Sequence, residues 1–341
     1  MIISGGKDLF MTILRQPTRA GVRDAAAKLA QVVPTSPLFF HEINGINIAF
    51  KAECLQPIGS FKLRGAWHRL TAIAPESRSA GVVAFSSGNH AQGVAWAARR
   101  LGMPAVIVMP TDAPAVKREA TLALGAEIVS YDRATESRER LAAQLAAARG
   151  AVLVPSFDDS WVIEGQGSAA IEAAAQMAAM QLGAPSHLVI PCGGGGLAAG
   201  CALALPEAQV TVVEPEGWDD MRRSLDAGWI EPVGDAPPNT ACDSLMTKQV
   251  SPLTFDVLSR RGVTGIAVSE AAIREAQRWA ATRLRLVVEP GGAVALAAVL
   301  SGQIAPAAGM LVILSGGNVD PAAYAAAIAP KAASERAALA L

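Results

Sequence analysis

The chain has 341 residues, 51% of them hydrophobic and 5% aromatic, with a formal net charge of −1. This is enough apolar material for two alanine-rich lobes, and the near-neutral balance gives no reason to expect nucleic acid or an anionic membrane as partner. Cys54, Cys192, Cys201 and Cys242 lack paired metal-ligand spacing and read as free buried thiols, which points to a reducing, cytoplasmic compartment.

Met1 to Phe10 lacks the basic segment and apolar core of an export signal. The first segment that carries chemistry is Gly59-Ser60-Phe61-Lys62-Leu63-Arg64-Gly65. The chain has seven lysines against 22 arginines. Lys7, Lys28 and Lys331 lie near the termini, Lys117 and Lys248 in polar contexts, and Lys51 in a mixed strand. Lys62 alone stands behind an aromatic residue and between glycines. An aldehyde cofactor needs an amine of depressed pKa, which desolvation supplies and arginine cannot. The competing reading is a solvated turn lysine.

Val82–Phe85 reads as a short buried strand that enters Ser86-Ser87-Gly88-Asn89-His90, and alanine-rich helical spacing follows from Ala91 to Leu101. The turn is then a helix N-terminus, suited to a carboxylate or phosphate, or else an ordinary Ser/Asn cap. Ala105–Met109 and Glu127–Ser130 continue as strands around a helix from Ala115 to Leu124. A further helix from Ala169 to Leu182 is interrupted by Glu172, Gln176 and Gln181, so it is no membrane span.

Leu188–Pro191 is the next strand, followed by Cys192, four glycines from Gly193 to Gly196, Leu197 and a helix from Ala198. Residues without Cβ let successive N–H groups close around an anion. Gly193-x-Gly195-x-x-Ala198 also fits the dinucleotide fingerprint, with Glu214 as the ribose acid. An NAD-binding dehydrogenase is therefore the rival reading, although such an enzyme has no need of the lysine segment or the serine turn. Val210–Glu214 and Gly265–Val268 are strands, and after the first of them Glu214 and Asp220 can converge with a backbone carbonyl on a hard divalent cation. The plainer alternative there is a solvated acidic loop. Met310–Leu314 is the last strand, leading to Ser315-Gly316-Gly317-Asn318. Strands and helices alternate throughout, which predicts parallel sheets covered on both faces with the three turns meeting in one crevice.

In chain order, Ser60-Phe61-Lys62-Leu63-Arg64-Gly65, Ser86-Ser87-Gly88-Asn89-His90, Gly165-Gln166-Gly167-Ser168, the tetraglycine loop, Glu289-Pro290-Gly291-Gly292 and Ser315-Gly316-Gly317-Asn318 resemble the fold-type II (tryptophan synthase β-like) pyridoxal-phosphate enzymes. The likeness spans about Pro34 to Asp320 and is to the threonine/serine dehydratase and serine racemase branch. It implies an α/β fold of two lobes, each with a mostly parallel sheet flanked by helices. The small lobe takes 50–154, the large lobe takes 1–49 and 155–341, and no feedback domain follows.

The resemblance also implies roles. Lys62 bonds the cofactor and moves the α-proton, and Ser87 matches the second acid/base of the racemase. Phe61 packs on the ring, unless it is simply a core aromatic. Asn89 faces the ring hydroxyl, Gly193, Gly194, Gly195, Gly196 and Leu197 bind the phosphate, and Ser315 bonds the pyridine nitrogen. Ser86, Ser87, Asn89 and His90 receive the substrate carboxylate, and Arg138 matches an arginine that reaches the substrate, unless it is a solvated helix charge. A magnesium, manganese or calcium ion is expected on Glu214, the Trp218 carbonyl and Asp220. The implied activity is elimination of water from L-threonine or L-serine by a homodimer, giving a 2-oxo acid and ammonia. Cys242-Asp243-Ser244 departs from the family's Ala-Asp-Gly, which brings in 3-hydroxyaspartate or a bulkier 3-hydroxy amino acid as alternative substrates, while the Ser87 match keeps serine racemisation as another.

Overall fold

The computed structural model describes residues 15–86 and 88–329. Strands β1 (Leu38–Ile43) and β2 (Ile46–Ala52) form an antiparallel hairpin over Asn44-Gly45. Both turn residues have positive φ, 52° and 79°, the conformation that Asn-Gly adopts at low cost. After helix α1 (Arg19–Leu29) and this hairpin, the chain alternates helix and strand. α2 (Lys62–Thr71), β3 (Val82–Phe85), α3 (Asn89–Arg100), β4 (Ala105–Pro110), α4 (Ala115–Ala123), β5 (Glu127–Tyr131), α5 (Arg138–Arg149) and β6 (Val152–Leu153) come first. α6 (Ser160–Ala179), β7 (His187–Pro191), α7 (Gly196–Ala204), β8 (Gln209–Pro215), α8 (Asp220–Ala227), α9 (Pro252–Arg260), β9 (Thr264–Val268), α10 (Glu270–Trp279), α11 (Pro290–Leu300), β10 (Met310–Leu314) and α12 (Pro321–Ile328) follow.

Two sheets result. The smaller has order β5-β4-β3-β6 and is wholly parallel. The larger has order β1-β2-β10-β7-β8-β9, parallel except for the β1 edge. The expected boundary between 49 and 50 cuts through β2, because Phe50 to Ala52 pair with Val312 to Leu314 in the larger sheet. Two helices join the lobes. α1 sends Val22 into the large-lobe core and Ala25 and Leu29 into the small-lobe core, and α6 does the same with Ile163 and Val162.

α6 begins nine residues earlier than Ala169, under an Asp159 cap that accepts from the Val162 N–H. Gly165 and Gly167 look like helix breakers in sequence, yet both serve close helix crossings. A Cβ on Gly165 would lie 2.6 Å from the Arg64 carbonyl oxygen, and one on Gly167 would lie 2.3 Å from that of Gly200. The Gly165-Gln166-Gly167-Ser168 segment thus packs α6 between α2 and α7. Beneath α2, Arg64 pairs with Glu53 at 2.8 Å and with Glu172 at 3.0 Å, while Lys51 pairs with Glu172 at 2.6 Å. These buried charges compensate one another, as buried charges must. α12 has no buried residue, since its alanines give a surface helix little to bury.

Candidate active site

Helix starts define the site. α1, α5, α6, α9, α10 and α12 each begin with a Ser, Thr or Asp side chain accepting from a first-turn N–H. α3 and α7 begin instead at Gly88 and Gly195, with no side-chain cap. Their leading N–H groups are left for another acceptor. Both starts follow the carboxyl ends of parallel strands, β3 and β7.

The turn before α7 depends on its glycines. Gly195 has φ 84°, and a Cβ on Gly194 would fall 2.3 Å from the Phe157 ring. Phe157 occupies the space a side chain would need, and the glycines form a cradle of bare backbone. Beside it, the segment before α2 is stitched to the turn after β10. The Phe61 N–H donates to the Ser315 carbonyl at 3.1 Å, the Gly317 N–H to that of Gly59 at 2.8 Å, and Ser60 bridges Gly316. Lys62 is therefore fixed at the start of α2, next to Ser315.

These parts enclose a cavity of about 70 Å³ lined in part by Phe61, Lys62, Asn89, the four glycines, Leu197, Glu289 and Ser315. It adjoins a cleft of about 570 Å³ whose walls include Lys62, Ser86, Asn89, His90, Lys117, Arg138 and Ser244. The sequence expectation that three turns meet in one crevice is met by this arrangement. Ser87 lies outside the described residues.

The electrostatics separate the groups. Burial lowers the Lys62 amine to about 8, with Glu289 pulling it back up. Its ammonium donates to the Ser156 carbonyl at 3.1 Å. Burial, then Lys62, lowers His90 to about 3, and its Nε2 donates to the Val154 carbonyl at 2.9 Å. His90 is a neutral hydrogen bonder at ordinary pH. Asn89 gives one amide hydrogen to Glu289 Oε1 at 2.6 Å and accepts from Asn318 Nδ2 at 2.8 Å, which leaves its second hydrogen for a ligand. Arg138 lies over the Phe85 ring at 5.5 Å and pairs with Glu139.

Three wall residues carry no role in the sequence reading. Glu289 is buried, its Oε2 meets no partner among the described residues, and burial raises its carboxyl to about 7, with Lys117 the largest opposing influence. Its acid directly before Pro290 was the available signal. Lys117, read as a polar helix residue, is 5% exposed and pairs with Asp243 across the cleft. Nothing in its local sequence marks it. Phe157 likewise has no pattern around it.

Away from the cavity, Glu214 is buried and caps α8 by accepting from the Met221 N–H at 3.1 Å and the Arg222 N–H at 2.8 Å. Both Asp220 oxygens are buried without a hydrogen-bond partner among the described residues. Glu214 and Asp220 are thus no solvated loop, whereas Glu216 is exposed. Among the described residues no group of three His, Cys, Asp or Glu side chains could hold a metal ion. All four cysteines are free and buried, and burial pushes Cys54 and Cys201 up to about 12. Among the described residues no helix is long and apolar enough to cross a membrane.

Residues 31–316 match the family described as pyridoxal-phosphate dependent enzyme. The chain belongs to this family. It is 39% identical over 324 residues to L-threo-3-hydroxyaspartate ammonia-lyase of Saccharomyces cerevisiae, covering 92% of this chain and 97% of that protein. It is 40% identical over 311 residues to the L-threo-3-hydroxyaspartate ammonia-lyase of a Pseudomonas sp, covering 88% and 95%. Among solved structures, a threonine deaminase from T.th. aligns with TM-score 0.82 at 41% identity, covering 89% of this chain and 99% of that one. The pyridoxal-phosphate enzyme described here is of fold type II and lies in the threonine/serine dehydratase and serine racemase branch. The dinucleotide reading of Gly193-x-Gly195-x-x-Ala198 is overturned by the match, and the turn's position beside Lys62 accounts for the same glycines.

Proposed function

We propose that this enzyme is a 3-hydroxy amino acid ammonia-lyase whose preferred substrate is L-threo-3-hydroxyaspartate. The observation that carries the substrate is the 39–40% identity to two enzymes of that name over nearly their whole length. It favours the dicarboxylic alternative over L-threonine and L-serine. L-Threonine is the second reading, supported by the likeness to threonine deaminase.

The cavity's residues fit pyridoxal phosphate. The Gly193 to Leu197 amides suit a phosphate because a Cβ at Gly194 or Gly195 would collide with Phe157 or Met221. Phe61, Asn89 and Ser315 would hold the cofactor, Asn89 through its free amide hydrogen and Ser315 through its hydroxyl. Bound there, the cofactor supplies an aldehyde for the substrate amine and an electron sink for α-C–H cleavage. The Ser315 hydroxyl, unlike a carboxylate, would not hold a ring nitrogen protonated, so it would support a weaker electron sink. Lys62 would hold the cofactor through its amine and, as a free amine, would take the α-proton; its depressed basicity keeps a neutral fraction near neutral pH. Ser86 and the α3 backbone amides orient the α-carboxylate, with Ser87 and Arg138 assigned to the substrate on resemblance; the His90 proton stays on the Val154 carbonyl. The products are a 2-oxo acid and ammonia.

Glu214, the Trp218 carbonyl and Asp220 are proposed to hold a magnesium, manganese or calcium ion. The unpartnered, buried Asp220 carboxylate supports this.

Assaying 2-oxo acid release from L-threo-3-hydroxyaspartate, L-threonine and L-serine tests the reading. The highest kcat/KM is expected for hydroxyaspartate; a higher value for threonine overturns it in favour of the second reading.

A further inference from the structure

A substrate with two carboxylates needs a second cation, and the cleft offers several that differ in availability. Lys62 has its amine committed at the reacting centre. Lys248 is exposed. Arg138 is already neutralised by the adjacent Glu139 at 2.8 Å, and its side chain is 36% exposed. Lys117 differs from all three. It rises from α4 with its side chain 7% exposed, and its ammonium lies against the start of α3. A Cβ on Gly88 would stand 3.4 Å from Lys117 Nζ, so the ammonium lies beside the turn whose free N–H groups suit the α-carboxylate.

Among the described residues the Lys117 ammonium pairs with Asp243 alone. Asp243 comes from the other lobe, in the Cys242-Asp243-Ser244 loop, and its side chain is 40% exposed. The pair therefore joins a buried cation to a carboxylate that already reaches water. A substrate carboxylate is the same chemical group as the one Asp243 presents. Exchange returns Asp243 to solvent and keeps the buried ammonium paired, whereas removing Asp243 with no replacement would leave it only Glu289, beyond salt-bridge distance, as a counter-charge.

We propose that Lys117 recognises the distal carboxylate of the substrate, and that Asp243 holds that place when no substrate is bound. The inference rests on the dicarboxylic reading of the proposed function. Lys117 is then a specificity-determining residue.

The test uses the holoenzyme in wild-type, Lys117→Met, Lys117→Arg and Arg138→Met forms. It reads kcat/KM for L-threo-3-hydroxyaspartate over that for L-serine, and succinate affinity by titration calorimetry. In Lys117→Met the ratio should fall at least about tenfold, the contribution of one hydrogen bond to a charged group, mostly through KM. Succinate affinity should fall with it, and Lys117→Arg should restore most of both. A ratio that survives in Lys117→Met, or that collapses only in Arg138→Met, overturns the assignment. Wild type with no preference for hydroxyaspartate overturns the proposed substrate instead. If Lys117→Met does not fold, Asp243→Asn decides: it removes the competing carboxylate and should tighten succinate binding, and unchanged or weaker binding overturns the exchange.

Discussion

Lys62 carries a cost in the fold before it carries a function. Burial lowers its amine from 10.5 to about 8. Below pH 8 it is charged in both folded and unfolded chains, and the folded chain bears the desolvation of that charge. Between about pH 8 and 10.5 the folded form loses the proton first, so the cofactor-free protein gains stability from this group as pH rises through that window. Lys62→Met should therefore stabilise the cofactor-free protein at pH 7, on the order of 2 kcal/mol once partial exposure of the side chain is allowed for. The variant should also fail to retain pyridoxal phosphate after borohydride treatment and gel filtration. A urea midpoint at pH 7 equal to or below that of the wild type would remove desolvation as the cause of the low pKa. Lys62 is legible in sequence because an aromatic neighbour and flanking glycines are local. Lys117 is not, because what makes it special is Asp243, 126 residues away. Glu289 lies between these cases, visible as an acid before a proline but silent about its buried, unpaired oxygen.

At the scale of elements, strands were easier to read than helix limits. β3, β4, β7, β8 and β10 are short, mostly apolar runs bounded by turns, and a parallel sheet buried on both faces demands that pattern. α6 is the instructive miss. Gly165 and Gly167 lower helix propensity, so the sequence reading starts the helix at Ala169, but contact with α2 and α7 outweighs the local cost. The crossing has a functional consequence, because α2 carries Lys62 and α7 begins at the glycine cradle. Gly167→Val places a branched side chain against the Gly200 backbone, which cannot rotate away. We expect a loss of about 3 kcal/mol, measured as a lower urea midpoint, together with reduced pyridoxal phosphate content as the two helices are forced apart. The smaller Gly167→Ala change should follow the same direction. Normal stability and cofactor content in the valine variant would mean that this contact does not set the distance between amine and cradle.

The described chain is two mostly parallel sheets held by α1 and α6, with the site at the strand ends between them. Strand alternation made that architecture legible, while the lobe boundary was not, because β2 pairs with β10 near the other end of the chain and no local signal records the pairing. The Glu214–Asp220 segment tests how the large lobe is stabilised away from the chemistry. Glu214 is fully buried and spends both oxygens on the start of α8, and Asp220, also fully buried, finds no partner in the described chain. Two close buried carboxylates without a cation oppose folding, and Asp220→Asn alone would relieve part of that opposition. A bound divalent ion reverses the sign: the carboxylates become ligands, and the ion adds stability that depends on its concentration. Chelator treatment of the holoenzyme should then lower the Tm and the rate of elimination, and magnesium, manganese or calcium should restore both. In Asp220→Asn the Tm should become insensitive to either treatment. If the wild type keeps its Tm through chelation, the ion is absent, and Asp220→Asn should then raise the Tm at neutral pH by removing a carboxyl that burial disfavours in its charged form.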